Sequence, residues 1–230
     1  MSRPLPRRYH HHPAVQFGDA VGTHLRSGSA ILDVGSGRRP ALAPEDRPGD
    51  SRYVGLDLSA TELELAPLGS YDEHVVADIS EPVEALLDGF DLVISWQVLE
   101  HVRDVAGALE HMRGYLRPGG HLVAFLSARN SIYGRLNTLL PAQTGVWLMR
   151  VLLRRNPDSV FPAYYDSCTS GELRTLMAPW TAAEIRPVFL GASYFNFSHA
   201  LRDVYVAYEN WAARTGRADL ATHYLIVGRR

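Results

Sequence analysis

The sequence contains no lysine; all 23 of its basic residues are arginine. That absence excludes enzymes that form a lysine Schiff base, carry pyridoxal phosphate, or hold nucleotide phosphates with a P-loop or kinase lysine. Cysteine is almost missing as well. The single Cys168 rules out an internal disulfide and a multi-cysteine zinc site. No activating partner stands beside it in the sequence, so it reads as incidental rather than nucleophilic. Nor does any apolar run reach the length of a membrane span, and the opening MSRPLPRRYHHHP lacks the apolar core of a signal peptide. Both absences point to a cytoplasmic protein without a transmembrane segment. With 25 acidic residues against 23 basic ones, the net charge is -2. There is no cationic excess of the kind a nucleic-acid partner requires. His10-His11-His12 invites a metal reading, but adjacent side chains point in different directions, and no metal is expected there.

What is present is a chain of 230 residues, 46% hydrophobic, enough for one domain with a sizeable core over 1–230. Short apolar runs at 30–34, 53–57, 74–77, 90–96 and 121–127 are rich in valine, isoleucine and leucine and do not alternate. Strands buried on both faces of a parallel sheet have that pattern. Between the last two, Val105, Leu109, Met112 and Leu116 form the stripe of an amphipathic helix, stopped by Pro118-Gly119-Gly120. Strand and helix in alternation predict a doubly wound α/β sheet. Residues 1–28 form an N-terminal helical segment, opened by Pro13, with Phe17, Val21 and Leu25 on one face and an end near Gly28.

Beyond residue 127 the pattern changes. The stretch 128–166 holds no clean strand and mixes apolar clusters with Arg150, Arg154 and Arg155, as a lid or acceptor-binding insertion would. The arginines suit a solvated helix face. A short helix is expected at 172–177 with Ser170 as its cap, then strands at 185–190 and 223–227. Between those strands a helix shows Leu201, Val204, Tyr205, Tyr208 and Trp211 on one side.

The chemistry concentrates at strand ends. ILDVGSG ends the first strand with Asp33, Gly35 and Gly37, and two glycines there allow a tight turn and a close backbone approach to a ligand. YVGLDLS ends the second strand in Asp57, twenty residues after Gly37, where a carboxylate can accept both hydroxyls of a ribose. The third ends in ADIS, pairing the acceptor Asp78 with the apolar Ile79, a combination suited to an adenine ring. Ligands bind at this edge of open α/β sheets. Two cofactors compete for it. A nicotinamide dinucleotide wants a third glycine and a helix N-terminus for its pyrophosphate. Here Arg39-Pro40 follows instead, with Pro44 and Pro48 close behind. S-adenosylmethionine has no phosphate, and its positive groups suit acidic surroundings.

ILDVGSG, YVGLDLS, VVADIS, FDLVISWQVLEHV and LRPGGHLVAF, in this order and spacing, resemble the class I S-adenosylmethionine-dependent methyltransferases, in the group related to ubiquinone-biosynthesis enzymes. FPAYYDSCTSGELRTLM is similar to a segment that follows the lid in many bacterial members. The resemblance implies a Rossmann-like seven-stranded sheet of order 3-2-1-4-5-7-6 with the last strand antiparallel. It also implies S-adenosyl-L-methionine as cofactor. Asp33, Gly35 and Gly37 would line its methionyl part, Asp57 would hold its ribose, Asp78 and Ile79 its adenine, Trp96 and Gln97 would form the floor near the sulfonium, and Ser36 and Leu58 would also belong to the cofactor site. His101, in VLEHV, is a candidate base, with a local structural role as the alternative. Tyr133, Trp147, Tyr164 and Tyr165 would line the pocket of a small-molecule or lipid-like acceptor methylated on oxygen, nitrogen or carbon. The alternatives are a nicotinamide-dependent oxidoreductase, opposed by the missing third glycine, and an inactive cofactor-binding partner protein, opposed by the intact glycines and acids.

Overall fold

A computed structural model of the chain describes residues 4–131, 135 and 163–230. Its strands are β1 (Ala30–Val34), β2 (Arg52–Asp57), β3 (Glu73–Val76), β4 (Phe90–Trp96), β5 (Leu116–Ser127), β6 (Ala182–Val188) and β7 (His223–Arg229). They form one sheet in the order β3-β2-β1-β4-β5-β7-β6. The first five pair in parallel, and β7 runs antiparallel to both β5 and β6. This is the order and the reversal that the resemblance implied.

The central strands are apolar without alternation because both of their faces are covered. All five residues of β1 are buried. One face carries Leu32, Val54, Val93 and Leu122 beneath α3 (Val105–Tyr115), which buries Val105, Ala108, Leu109, Met112 and Tyr115. The other carries Ile31, Tyr53, Leu92, Ile94, Val123 and Phe125 and meets Phe17, Ala20 and Val21 of α1 (Pro13–His24). Burying side chains of this size is worth roughly 1.5–3 kcal/mol each, which ties both helices to the sheet. Local chemistry sets where they begin. Asp104 accepts from the Gly107 amide at the start of α3, and His12 Nδ1 accepts from Ala14 ahead of Pro13 in α1.

Several boundaries differ from expectation. β5 starts at Leu116, because Pro118-Gly119-Gly120 forms an irregularity within the strand rather than a connection before it; the register with β4 shifts between Phe90 and Leu92. The short helix α4 (Ser170–Leu176) is capped by Thr169, not Ser170. Thr169 Oγ1 accepts from the Glu172 amide while the Glu172 carboxylate accepts from the Thr169 amide, a reciprocal capping box. β6 covers Ala182–Val188, earlier than predicted, since its pairing is set by β7. The helix α5 (His199–Arg214) buries Tyr205, Glu209 and Ala212, leaving Leu201, Val204 and Trp211 exposed. Its apolar stripe is thus split, and a glutamate occupies its buried side. Between β1 and β2 the connection contains one 3-10 turn, Pro44–Asp46, and no α-helix, as its three prolines dictate. No helix among the described residues is long and apolar enough to cross a membrane.

Candidate functional site

The carboxyl ends of β1, β2 and β4 converge on the glycine loop. Gly35 (φ +71°) and Gly37 (φ +49°) take left-handed conformations that favour glycine. At Gly35 there is a second reason: a β-carbon would lie 2.2 Å from Val98 Cγ2. The Gly35 and Ser36 amides both donate to the Leu56 carbonyl at 2.7 and 3.3 Å, so the loop folds back onto β2. Ser36 is buried. Tyr71 Oη donates to the Gly37 carbonyl at 2.8 Å, and Arg38 grips Glu62 of α2 (Ala60–Glu64) with two hydrogen bonds. The loop is therefore held from three sides.

Asp33 is 1% exposed and turns into the protein. Its Oδ2 accepts from Tyr53 Oη at 2.6 Å and from the Ala41 amide at 2.7 Å, so this oxygen braces the segment after the glycines instead of facing outward. Arg47 lies over the Tyr53 ring, 3.4 Å from its centroid, and donates to the Leu42 and Ser70 carbonyls. Burial pushes the Asp33 carboxyl up to about 7, against the pull of Tyr53 and Ala41.

Asp57 stands half-buried at the end of β2. Its Oδ1 accepts from the Ser59 amide at 2.9 Å, and a β-carbon on Gly37 would lie 3.4 Å from Oδ2. Burial raises its carboxyl above the usual range, opposed by the Ser59 and Gly37 amides and helped by Glu62. Leu58, next in line, is 71% exposed, an apolar side chain offered to the same edge. Asp78 is exposed, with Oδ1 accepting from Ser80. Ile79 departs from expectation. It is 5% exposed and packs into the core under α3, so its side chain is not a contact face for a ring.

Trp96 is a packing residue, stacked on Phe125 (4.7 Å, 19°) and meeting Phe17 edge-on (5.1 Å, 62°). Gln97 is exposed beyond it with φ +56°, its amide donating to the Phe125 carbonyl at 2.7 Å. His101 closes the turn Leu99–His101 just past β4, partly exposed at the same edge. Its neighbour Glu100 had no role predicted, although an acid in the apolar turn VLEHV was a visible signal. Glu100 is buried. Its Oε1 accepts from the Ser127 amide, and its carbonyl accepts from the Tyr164 and Tyr165 amides at 2.8 and 3.1 Å. Burial holds its carboxyl above the usual range. It joins the ends of β4 and β5 to the segment beginning at 163.

Of the four acceptor-pocket candidates, Tyr133 and Trp147 lie outside the described residues, as does most of the stretch 128–166 expected to form a lid. Tyr164 is 41% exposed and lies under Arg103, which donates to its hydroxyl at 3.1 Å. Tyr165 is 2% exposed and belongs to the core, so it is not a pocket wall. Cys168 is buried, its Sγ donating to the Asp166 carbonyl, and burial pushes the thiol up, away from nucleophilic character. Among the described residues no cluster of three or more His, Cys, Asp or Glu could hold a metal.

An adenosyl cofactor fits these groups: a half-buried carboxylate for a diol, an exposed leucine for a ring face, a second acid one strand further, and a glycine turn at the methionyl end. A dinucleotide fits poorly, because no helix starts after the glycine loop to receive a pyrophosphate. Sheet order, reversed β7 and strand-end acids together define a class I, Rossmann-like methyltransferase. The family described as a methyltransferase domain matches residues 7–179, and the chain belongs to that family. A ubiquinone biosynthesis O-methyltransferase of Chelativorans sp. (strain BNC1) is 39% identical over 112 residues, covering 46% of this chain and 44% of that protein. A second of that name, from Bradyrhizobium sp. (strain ORS 278), is 34% identical over 115 residues, 49% of this chain and 45% of that one. The chain thus spans less than half the length of these relatives. Among solved structures, an S-adenosylmethionine-dependent methyltransferase from Mesorhizobium loti shares the fold with TM-score 0.57 at 20% identity, covering 96% of this chain and 100% of its own. A Haemonchus contortus phosphoethanolamine N-methyltransferase 2 does so with TM-score 0.55 at 13% identity, covering 94% and 52%.

Proposed function

We propose that the protein transfers a methyl group from S-adenosylmethionine to an oxygen of a small-molecule or lipid-like acceptor at the carboxyl edge of the sheet. The observation that carries this reading is the row Asp57, Leu58 and Asp78 beside the left-handed glycine turn. When bound, S-adenosylmethionine supplies an electrophilic methyl group on a cationic sulfonium. Asp57 accepts the ribose hydroxyls, Leu58 covers a face of the adenine, and Asp78 accepts from its exocyclic amine. Gly35 and Gly37 admit the backbone to the methionyl end, and Asp33 keeps their loop in shape from beneath. The stacked Trp96 and Phe125 give the edge a rigid floor. Methyl displacement is an in-line step whose acceleration comes largely from placement and exclusion of water. His101 takes the proton that a hydroxyl acceptor loses. Tyr164, with Arg103 against it, offers a polar handle at the acceptor side. The oxygen acceptor is supported by the name of the Chelativorans and Bradyrhizobium relatives.

Calorimetry with S-adenosylmethionine, S-adenosylhomocysteine and NADH tests the cofactor. Binding of the first two without the third is expected, and binding of NADH alone overturns the assignment. Transfer of labelled methyl to a panel of phenols, amines and carbon acids tests the acceptor. Label on amines or carbon with none on phenols would refute the oxygen acceptor.

A further inference from the structure

At the opposite, amino edge of the sheet, the end of α1 meets β5. His24, in the last turn of α1, stacks on His121 with ring centroids 4.0 Å apart and planes 20° apart. Rings stacked this way direct their in-plane nitrogens side by side and not at one point, which disfavours a shared metal ion. Arg229 is the cross-strand partner of His121. Its guanidinium reaches within 3.7 Å of where a β-carbon on Gly119 would sit. Arg26 follows α1, and its Nη1 covers the Leu25 carbonyl at 2.6 Å, which offsets part of the negative end of the helix. Among the described residues, neither Arg26 nor Arg229 is ion-paired to a carboxylate. Beside the pair opens a cleft of about 450 Å³ lined by His24, residues 26–29, Asp91 and residues 117–121.

Of the other charges around the pair, the two nearby arginines are ion-paired, and the carboxylates Asp50 and Asp19 stand outside the cleft lining. Arg186 of β6 is held by Glu184. Arg117 of β5 is held by Asp91 of β4, which also accepts from the Ala30 amide. Asp50 accepts from Ser27 at the rim, and Asp19 of α1 lies on the far side of His24 with Arg186. The cleft therefore holds Arg26 and the two imidazoles in its lining, with Arg229 reaching its edge beside Gly119, and neither guanidinium has a carboxylate partner among the described residues. We propose that it is a phosphate-binding site, in which Arg26, Arg229, His24 and His121 together hold the oxygens of a phosphate group. Guanidinium–phosphate hydrogen bonds are charge-assisted, and the glycine-containing turns on either side leave the approach open. Burial, followed by the neighbouring positive charges, holds both imidazoles below their ordinary range, so each stays neutral near pH 7 without an anion. A bound phosphate reverses the second cause, and linkage requires that both imidazoles then gain protons more readily. The site lies across the sheet from the cofactor loops and does not depend on the methyl-transfer reading.

The test follows the His24 and His121 ring resonances of the full chain by NMR between about pH 5 and 8, in inorganic phosphate or in chloride of equal ionic strength. Phosphate is expected to raise both titration midpoints by about half a unit or more. Calorimetry near pH 6 should show one phosphate bound per chain. Arg229→Gln should weaken that binding about fivefold or more and leave S-adenosylhomocysteine affinity unchanged. Arg26→Gln, in an exposed loop, serves the same purpose should the strand variant fold poorly. Identical titrations in phosphate and chloride, or binding indifferent to both arginine variants, overturn the proposal. A free phosphate ester and a lipid headgroup present the same chemistry. Cosedimentation with vesicles of phosphatidylcholine and phosphatidic acid, lost in Arg229→Gln, assigns the headgroup; phosphate binding without cosedimentation assigns the free anion.

Discussion

Burial and its two hydrogen-bond donors act in opposite directions on Asp33, and burial wins: the carboxyl is pushed up to about 7, whereas an unfolded aspartate titrates near 3.9. The folded protein consequently binds more protons than the unfolded chain between those values. The contribution of Asp33 to stability is complete below about pH 4 and is lost as the pH rises through about 7. Asp33→Asn keeps an acceptor for Tyr53 and Ala41 and cannot ionise. Its melting temperature should therefore decline less between about pH 5 and 7 than that of the wild type, which thermal unfolding across this range will show. Asp57, one strand away, faces the edge and carries a different expectation. On the proposed function, Asp57→Ala leaves ribose hydroxyls without their acceptor, a loss of roughly 1–3 kcal/mol. Calorimetry should show S-adenosylhomocysteine affinity about tenfold lower or worse while the protein remains folded.

Backbone geometry decides the elements on which these residues sit. Gly35→Ala places a β-carbon into Val98 and holds a side chain at φ +71°. A left-handed backbone costs an ordinary residue roughly 1–2 kcal/mol before any clash. S-adenosylhomocysteine binding should be abolished in Gly35→Ala, and adding Val98→Ala should recover stability only in part, because the backbone cost remains. Chemical denaturation of the single and double variants separates the two contributions. Thr169→Ala tests another element: it removes the capping box that begins α4. A loss of about 1 kcal/mol is expected, seen as a drop of a few degrees in the melting temperature.

Across the whole molecule, the N-terminus is fastened to the last helix by a buried acid. Glu209 of α5 is fully buried and accepts from the Gly191 amide at 2.7 Å, from Arg8 at 3.1 Å and from Tyr9 Oη. Arg8 also donates to the Phe189 carbonyl and to Asn210. One carboxylate thus joins residues 8–9, the turn after β6 and α5, parts of the chain some two hundred positions apart. Glu209→Ala leaves a partly buried guanidinium uncompensated, and breaking a buried pair from one side costs about 3–5 kcal/mol. Tyr9→Phe removes the donor to Glu209 and the acceptor of the Ala192 amide but leaves the ion pair, and should cost less, roughly 1–3 kcal/mol. Equilibrium unfolding of both variants will show whether that order holds. The sheet's outer strands are protected differently, by exposed ion pairs: Arg52 with Glu73 on β2 and β3, and Glu184 with Arg186 on β6. Charge at an edge discourages pairing with another chain.

Sequence by itself determined the order of the elements, the parallel character of the inner strands, the glycine turn and the positions of Asp57 and Asp78. Each of these is written locally, in runs of apolar residues, in helical spacing, in prolines and in glycines where the backbone must turn. Exact strand limits were less legible, because β5 and β6 end where their partners in the ladder end. Tertiary structure alone decided which way the remaining side chains face. Asp33 turns inward because Tyr53, twenty residues away, offers it a hydroxyl. Ile79 and Tyr165 are consumed by the core, and Trp96 is held between Phe17 and Phe125. The stack of His24 on His121 brings together residues from a helix end and a strand that nothing in their own neighbourhoods relates. Burial and pairing of this kind depend on distances between segments remote in the chain. Those distances exist only once the sheet has closed its two layers.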